Sequence, residues 1–283
     1  DFICLQSGAW SKEDYFADLK RKLKRHHSRS GIHSQSLTES SHEAWIHLYR
    51  SHAYSRETQI SYYLEGELSV FALDAELRKR SNGESGVGDL MAKLFHKHNT
   101  GVENTSDRGI QYKDIRKALT SLSGGRRLGS FLDALTTKKG VLDLERAFSL
   151  FGIPYEARKI KERKEGTERI SWNDFEQGWL GINLRNQNNK LLISSHLQGS
   201  PVREHLQVGD EIIALNGQRI TSSEQLKTAL KGNTAGEVAL LFSRRSVVKE
   251  IHVSPIIQPA YPTVSVCEGN RFWKATTRTL QKS

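Results

Sequence analysis

Ile60-Ser-Tyr-Tyr-Leu-Glu-Gly66, running on through Glu67-Leu-Ser-Val-Phe-Ala-Leu-Asp-Ala-Glu-Leu-Arg78, decides how the first half of this chain is read. Tyr63, Leu64, Leu68, Phe71, Ala72 and Ala75 set apolar groups on more than one face of a helix predicted over 57–80. A helix apolar nearly all round is one that its neighbours cover. Gly66 lies near its start, where glycine costs about 1 kcal/mol against alanine. Close approach of another backbone or of a ligand is the expected reason for it. Ser81-Asn-Gly83 ends the helix with residues that tolerate a left-handed turn.

Working outward, Ser11-Lys-Glu-Asp14 is a helix start of the capping-box type, with Tyr15, Phe16, Leu19 and Leu23 following at helical spacing. A polar loop over 30–41 leads to a short helix carrying Trp45, Leu48 and Tyr49. Further helices are predicted over 89–98, 112–122, 127–135 and 142–151, the last stopped by Gly152 and Pro154. The pattern then changes. Short β-like runs at 180–184, 191–194, 211–215, 238–242 and 247–253 alternate with Gly and Asn turns, and one amphipathic helix interrupts them at 222–230. The chain is thus read as multi-domain: a mainly α bundle over 1–153, a charged connector over 154–174, a small α+β domain over 175–255 and a C-terminal tail over 256–283.

Trp179-Leu-Gly-Ile182, Gly199-Ser-Pro201, Gly209-Asp-Glu-Ile212 and Leu215-Asn-Gly217 stand in this order ahead of the second-domain helix. Together they resemble a PDZ domain of the bacterial, circularly permuted type. The resemblance implies that an extended peptide adds as a strand beside the domain's own. The N–H groups of Leu180, Gly181 and Ile182 would hold its terminal carboxylate, with Trp179 at the loop mouth and Leu226 and Leu230 as pocket residues. A groove filled by the protein's own tail stays open as the alternative.

The tyrosine-glycine stretch, with Ser36-Leu-Thr-Glu-Ser-Ser-His-Glu-Ala-Trp45 upstream, resembles the C-terminal part of a glycyl aminopeptidase, a zinc metallopeptidase family ending in a PDZ domain. The resemblance extends to residues 1–9, to 37–78 and to the helices over 125–152. It implies an enzyme that removes small N-terminal residues from peptides. Its zinc would be held by an H-E-x-x-H segment before residue 1, so that this chain binds no metal and is inactive alone, with the upstream catalytic segment as its partner. Tyr63-Leu-Glu-Gly66 matches the Y-x-x-G element whose tyrosine hydroxyl stabilises a tetrahedral oxyanion. Glu65 departs from the basic residue expected there. A core tyrosine and a non-enzymatic PDZ-containing, peptide-binding adaptor remain the alternatives.

Other chemistries fit poorly. Cys4 and Cys267 lie at opposite ends and form no C-x-x-C pair; two reduced cysteines suit a cytoplasmic protein. His42 and His47 are five apart, about 140° around a helix, whereas a ligand pair needs i and i+4. There is no G-x-S-x-G for a serine nucleophile. The net charge of +10 owes much to Lys20-Arg-Lys-Leu-Lys-Arg-His-His-Ser-Arg29. That run lacks an aromatic residue to stack a base, so it reads as a solvated helix face, with no nucleic acid as partner. No apolar run approaches the roughly 20 residues of a membrane span, so no membrane partner is expected.

Overall fold

The computed structural model describes residues 1–47, 49–98, 109–157, 178–231, 233 and 236–278. Its helical part contains α1 (Phe2–Gln6), α2 (Lys12–His27), a 3-10 turn (Ser30–His33), α3 (Leu37–His42), α4 (Ala44–His47), α5 (Ser55–Thr58), α6 (Tyr62–Arg80), α7 (Val87–His98), α8 (Tyr112–Leu122), α9 (Gly129–Thr137) and α10 (Leu144–Phe151). The expected capping box at Ser11 forms in both directions, Asp14 N–H to Ser11 Oγ and Ser11 N–H to Asp14 Oδ2.

Helix α6 is the axis of this part because its apolar residues serve two cores. Leu64, Leu68, Phe71, Ala72 and Ala75 meet α2 and α10. Leu73 and Leu77, on another face, meet residues of α7, α8 and α9. Its buried charges are each paired. Asp74 accepts from Val87 N–H at 2.6 Å and Thr276 Oγ1 at 2.6 Å, and pairs with Arg78 at 3.2 Å. Burial pushes the Glu76 carboxyl up, but Arg80 and Arg146 outweigh it and hold it below its usual value.

The helix predicted over 57–80 is two helices, because Gln59-Ile60-Ser61 is extended or irregular between α5 and α6. Ile60 N–H donates to Gln35 Oε1, and Ile60 C=O accepts from Ser40 Oγ, so these backbone groups bond to side chains rather than to a helical ladder. The loop expected over 30–41 holds the 3-10 turn and α3. Its start was written in Ser36 and Glu39, which form a second capping box.

The second part carries β3 (Ile182–Gln187), β4 (Lys190–His196), β5 (Glu211–Leu215), β6 (Gln218–Arg219), α11 (Ser223–Ala229), β7 (Val238–Arg244) and β8 (Val247–Val253). The strands form an antiparallel sheet ordered β3-β4-β5-β7-β8, with β6 beside β5. Three two-residue turns, Asn188-Asn189, Asn216-Gly217 and Arg245-Ser246, have positive φ at both positions. That is the geometry whose twist matches paired strands. Leu180, Ile193, Val202, Leu226, Leu230, Leu240 and Phe242 belong to its separate core.

The tail is not a loose appendage. β9 (Ile256–Ile257) pairs antiparallel with β2 (Gly178–Trp179), and β10 (Pro262–Val264) with β1 (Tyr155–Ala157), which lies in the stretch read as connector. Asn270 then caps α12 (Arg271–Thr276), accepting from Phe272 and Trp273 N–H. The cap aims Trp273 into the first helical core, 2% exposed, with the rings of Phe2, Tyr15, Phe16, Phe71 and Phe151 at 5.4–6.3 Å. Among the described residues no helix is long and apolar enough to cross a membrane.

Truncating a buried aromatic of this size leaves a cavity and costs about 3–5 kcal/mol. Trp273→Ala is therefore expected to lower the urea midpoint followed by far-ultraviolet dichroism. An unchanged midpoint contradicts the placement of the tail.

Candidate functional site

Two places carry the residues singled out from sequence. The first is the junction of α5 and α6. Tyr63 lies on the first turn of α6, 63% exposed, and its ring stacks on Tyr62 with centroids 4.2 Å apart. Its hydroxyl has no hydrogen-bond partner among the described residues. The rest of α6 is fixed by two cores, so an exposed phenol is carried here on a rigid base. Trp45 and Tyr49 lie stacked at 5.1 Å and are likewise exposed, as is Ile46. Exposed aromatic groups in one segment mark surfaces that other matter covers.

Glu65, the departure in the Y-x-x-G element, turns inward. Its carboxylate meets His26 Nδ1 at 2.9 and 3.0 Å, and both residues are buried. The basic run is therefore not wholly a solvated face. Leu19, Leu23 and His26 follow at i, i+4 and i+7, and that spacing was the signal that His26 belongs to the buried side. Lys22 pairs with Asp1, Asp18 and Glu67. A cavity of about 60 Å³ beside His26, Glu65, Ser69 and Ile60 has room for water, not for a peptide. A larger polar one of about 260 Å³ opens between Glu39, Glu43, His47, His52, Gln59 and Lys139.

Gly66 is not a point of close approach. A methyl group built there meets only Leu37 Cδ1, at 3.9 Å, an ordinary contact. The reason expected for this glycine is absent from the fold itself.

The second place is the loop ahead of β3. Gly181 has φ +67°, and a methyl group on it would lie 2.6 Å from Ser200 Cα. Glycine is required there on both counts. The close approach it permits is to Ser200, which donates from Oγ to Leu180 C=O at 2.7 Å, while Leu197 N–H donates to Gly181 C=O at 2.7 Å. The loop carbonyls are thus engaged from the protein side. The Leu180 and Gly181 N–H groups have no acceptor among the described residues. β3 is an edge strand, so its outer side is open to pairing. Leu226 and Leu230 lie buried in the domain core beside Leu180, and Ile182, Leu184 and Ala229 are the partly exposed apolar residues next to them. Leu184 and Ala229 were missed from sequence, although β3 alternation from Ile182 points to the former. Among its described residues the tail does not pair with β3. It pairs with Gly178–Trp179 and returns to the helical part.

Among the described residues no three His, Cys, Asp or Glu side chains come together to hold a metal ion. His42 ends α3 and His47 ends α4, so they do not share a helix at all.

A sequence model of M61 glycyl aminopeptidases matches residues 1–69, and one of PDZ domains matches residues 170–242. No curated protein matches the chain by sequence. The crystal structure of an aminopeptidase N family protein from Idiomarina loihiensis is similar over 98% of this chain and 46% of that one, at 21% identity and a TM-score of 0.79. This chain therefore spans less than half the length of that protein. The PDZ domain of a carboxy-terminal protease from Vibrio cholerae, solved with a peptide, covers 28% of this chain and 94% of its own length at 18% identity and a TM-score of 0.25. The chain thus joins a segment of glycyl aminopeptidase type to a PDZ domain, as its motifs imply, on the fold of the Idiomarina protein.

Two outcomes follow from this geometry. Gly66→Ala is expected to stabilise the chain by about 0.5–1 kcal/mol, since alanine is the better helix former and the space is free; a lower denaturation midpoint contradicts this. His27 is held down to about 4 by burial and then by the neighbouring His26. An unfolded histidine takes its proton near 6.5. Between those values the unfolded chain binds more protons, so stability drops as pH falls from about 6.5 to 4. His27→Gln should lose less stability than the wild type between pH 7 and 4.5 in urea titrations, and an equal loss contradicts the assignment.

Proposed function

We propose that the chain is the helical and PDZ portion of an aminopeptidase that releases small N-terminal residues from peptides, with Tyr63 as its oxyanion donor. The observation that carries the reading is the exposed hydroxyl of Tyr63 on a rigid helix, inside the segment that matches glycyl aminopeptidases. In peptide hydrolysis the scissile carbonyl oxygen becomes an oxyanion as a water-derived nucleophile adds to its carbon. A phenol fixed in advance donates its O–H to that oxygen and is worth about 3–4 kcal/mol. Stacking on Tyr62 restricts the ring, so little ordering is left for the moment of reaction.

The zinc that the family implies has no fitting ligand set among the described residues. In this reading the metal is held by a further segment of the same polypeptide. That segment covers the exposed Tyr63 ring, which excludes water from the oxyanion and strengthens its hydrogen bond.

The PDZ domain supplies a second, non-chemical site. Leu180, Gly181 and Ile182 offer N–H groups to a peptide carboxylate, and the open β3 edge offers its strand. Affinity is modest, because an extended peptide loses about 1–2 kcal/mol of chain entropy per ordered residue.

In the full-length protein, hydrolysis of a glycyl or alanyl anilide is expected. Tyr63→Phe should lower kcat by about 10²–10³ with the fold kept, and Tyr62→Phe should matter less. Full activity in both variants contradicts the role given to Tyr63. No hydrolysis of any N-terminal residue, with peptide binding retained, identifies a binding adaptor instead.

A further inference from the structure

The two sites are joined by one short stretch, His196 to Ser200, whose residues face alternately to either side. Leu197 and Ser200 bond to the carbonyls of Gly181 and Leu180 in the loop. His196 sits opposite Ile182 in the β3–β4 register. Its N–H and Nδ1, however, bond away from the loop, to Glu57 Oε1 at 3.0 and 2.9 Å. Gln198 N–H donates to Ser28 C=O at the end of α2 at 3.1 Å. Arg203 completes the contact, lying 3.2 Å from Glu57 Oε2 and donating to Ser30 Oγ. Ser30 Oγ in turn donates to Glu57 C=O.

Glu57 and His196 are both buried; if they parted, the His196 N–H and Nδ1 would lose their partner and Glu57 would keep Arg203 alone. The PDZ loop therefore cannot shift at residues 196–200 without either breaking that pair or carrying α5 with it. Glu57 lies in α5, five positions before Tyr62. Only Gln59-Ile60-Ser61 separates α5 from the first turn of α6, and Gln35 and Ser40 hold Ile60 in place, so little slack lies between Glu57 and Tyr62.

We propose that Glu57 and the 196–200 stretch couple occupancy of the PDZ groove to the Tyr62–Gly66 site, so that a peptide with a free C-terminus regulates the peptidase part. The inference rests on the groove reading above. A carboxylate drawn to the Gly181 and Ile182 N–H groups reorients the two peptide planes whose carbonyls, those of Leu180 and Gly181, Ser200 and Leu197 hold. A ligand shifts such an equilibrium only by its differential affinity for the two arrangements. Couplings of this kind are typically about 5–150-fold and act equally in both directions.

Hydrogen–deuterium exchange of the whole chain tests this with the pentapeptide Gly-Ser-Ala-Leu-Val and its C-terminal amide. The free acid is expected to slow exchange at 180–187 and to change it about 5-fold or more at 55–66, and the amide to do neither. Glu57→Gln and Arg203→Ala should keep the first effect and lose the second. If Glu57→Gln does not fold, Arg203→Ala, whose side chain is half exposed, decides alone. Slowing at 180–187 with 55–66 unchanged overturns the coupling while leaving the groove reading intact. No slowing at 180–187 overturns both. Both effects persisting in the folded variants overturns the assignment to this bridge.

Discussion

Burial of Trp273 in the first helical core is the contact on which the rest of the arrangement depends. The chain leaves the helical part after β1, builds the PDZ domain, and comes back through β10 and α12 to place this indole among Phe2, Tyr15, Phe16, Phe71 and Phe151. Phe71 is a residue of α6, so α12 packs directly on the axis that carries Tyr63. A PDZ domain tied back in this way is held at its C-terminal end and again by Glu57, which favours a fixed pose over a freely swinging module.

Buried polar pairs set the register of these returns. Asp74, Arg78 and Thr276 lock α12 to α6, His26 and Glu65 lock α2 to α6, and His196 and Glu57 lock β4 to α5. Each joins segments far apart in sequence. Such pairs add little net stability over well-packed apolar residues, but a misplaced register strands a charge in the interior and is strongly disfavoured. Specifying the arrangement is the role that suits them.

Local signals were legible in the sequence. The capping box at Ser11, α8, β5, β8 and α11 lie where periodicity and turn residues put them, because short-range geometry decides those elements. The break at Gln59-Ile60-Ser61 was not legible, since it rests on Gln35 and Ser40 bonding to Ile60 from a distance. The strands of the tail were not legible because β9 and β10 are two or three residues long and pair with partners at 178–179 and 155–157. The exposure of Tyr63, which the sequence sets among the covered positions of its helix, the inward turn of Glu65 and the Glu57–His196 pair arise from tertiary contacts that no spacing displays.

Scanning calorimetry of a chain ending at residue 255 tests the account most directly. Loss of β9, β10 and α12 removes Trp273 and Thr276 from the helical part, so its cooperative transition should broaden or vanish while the β3–β8 domain still melts. A helical transition unchanged in temperature and enthalpy would contradict the claim that the tail closes the core beneath the Tyr63 helix.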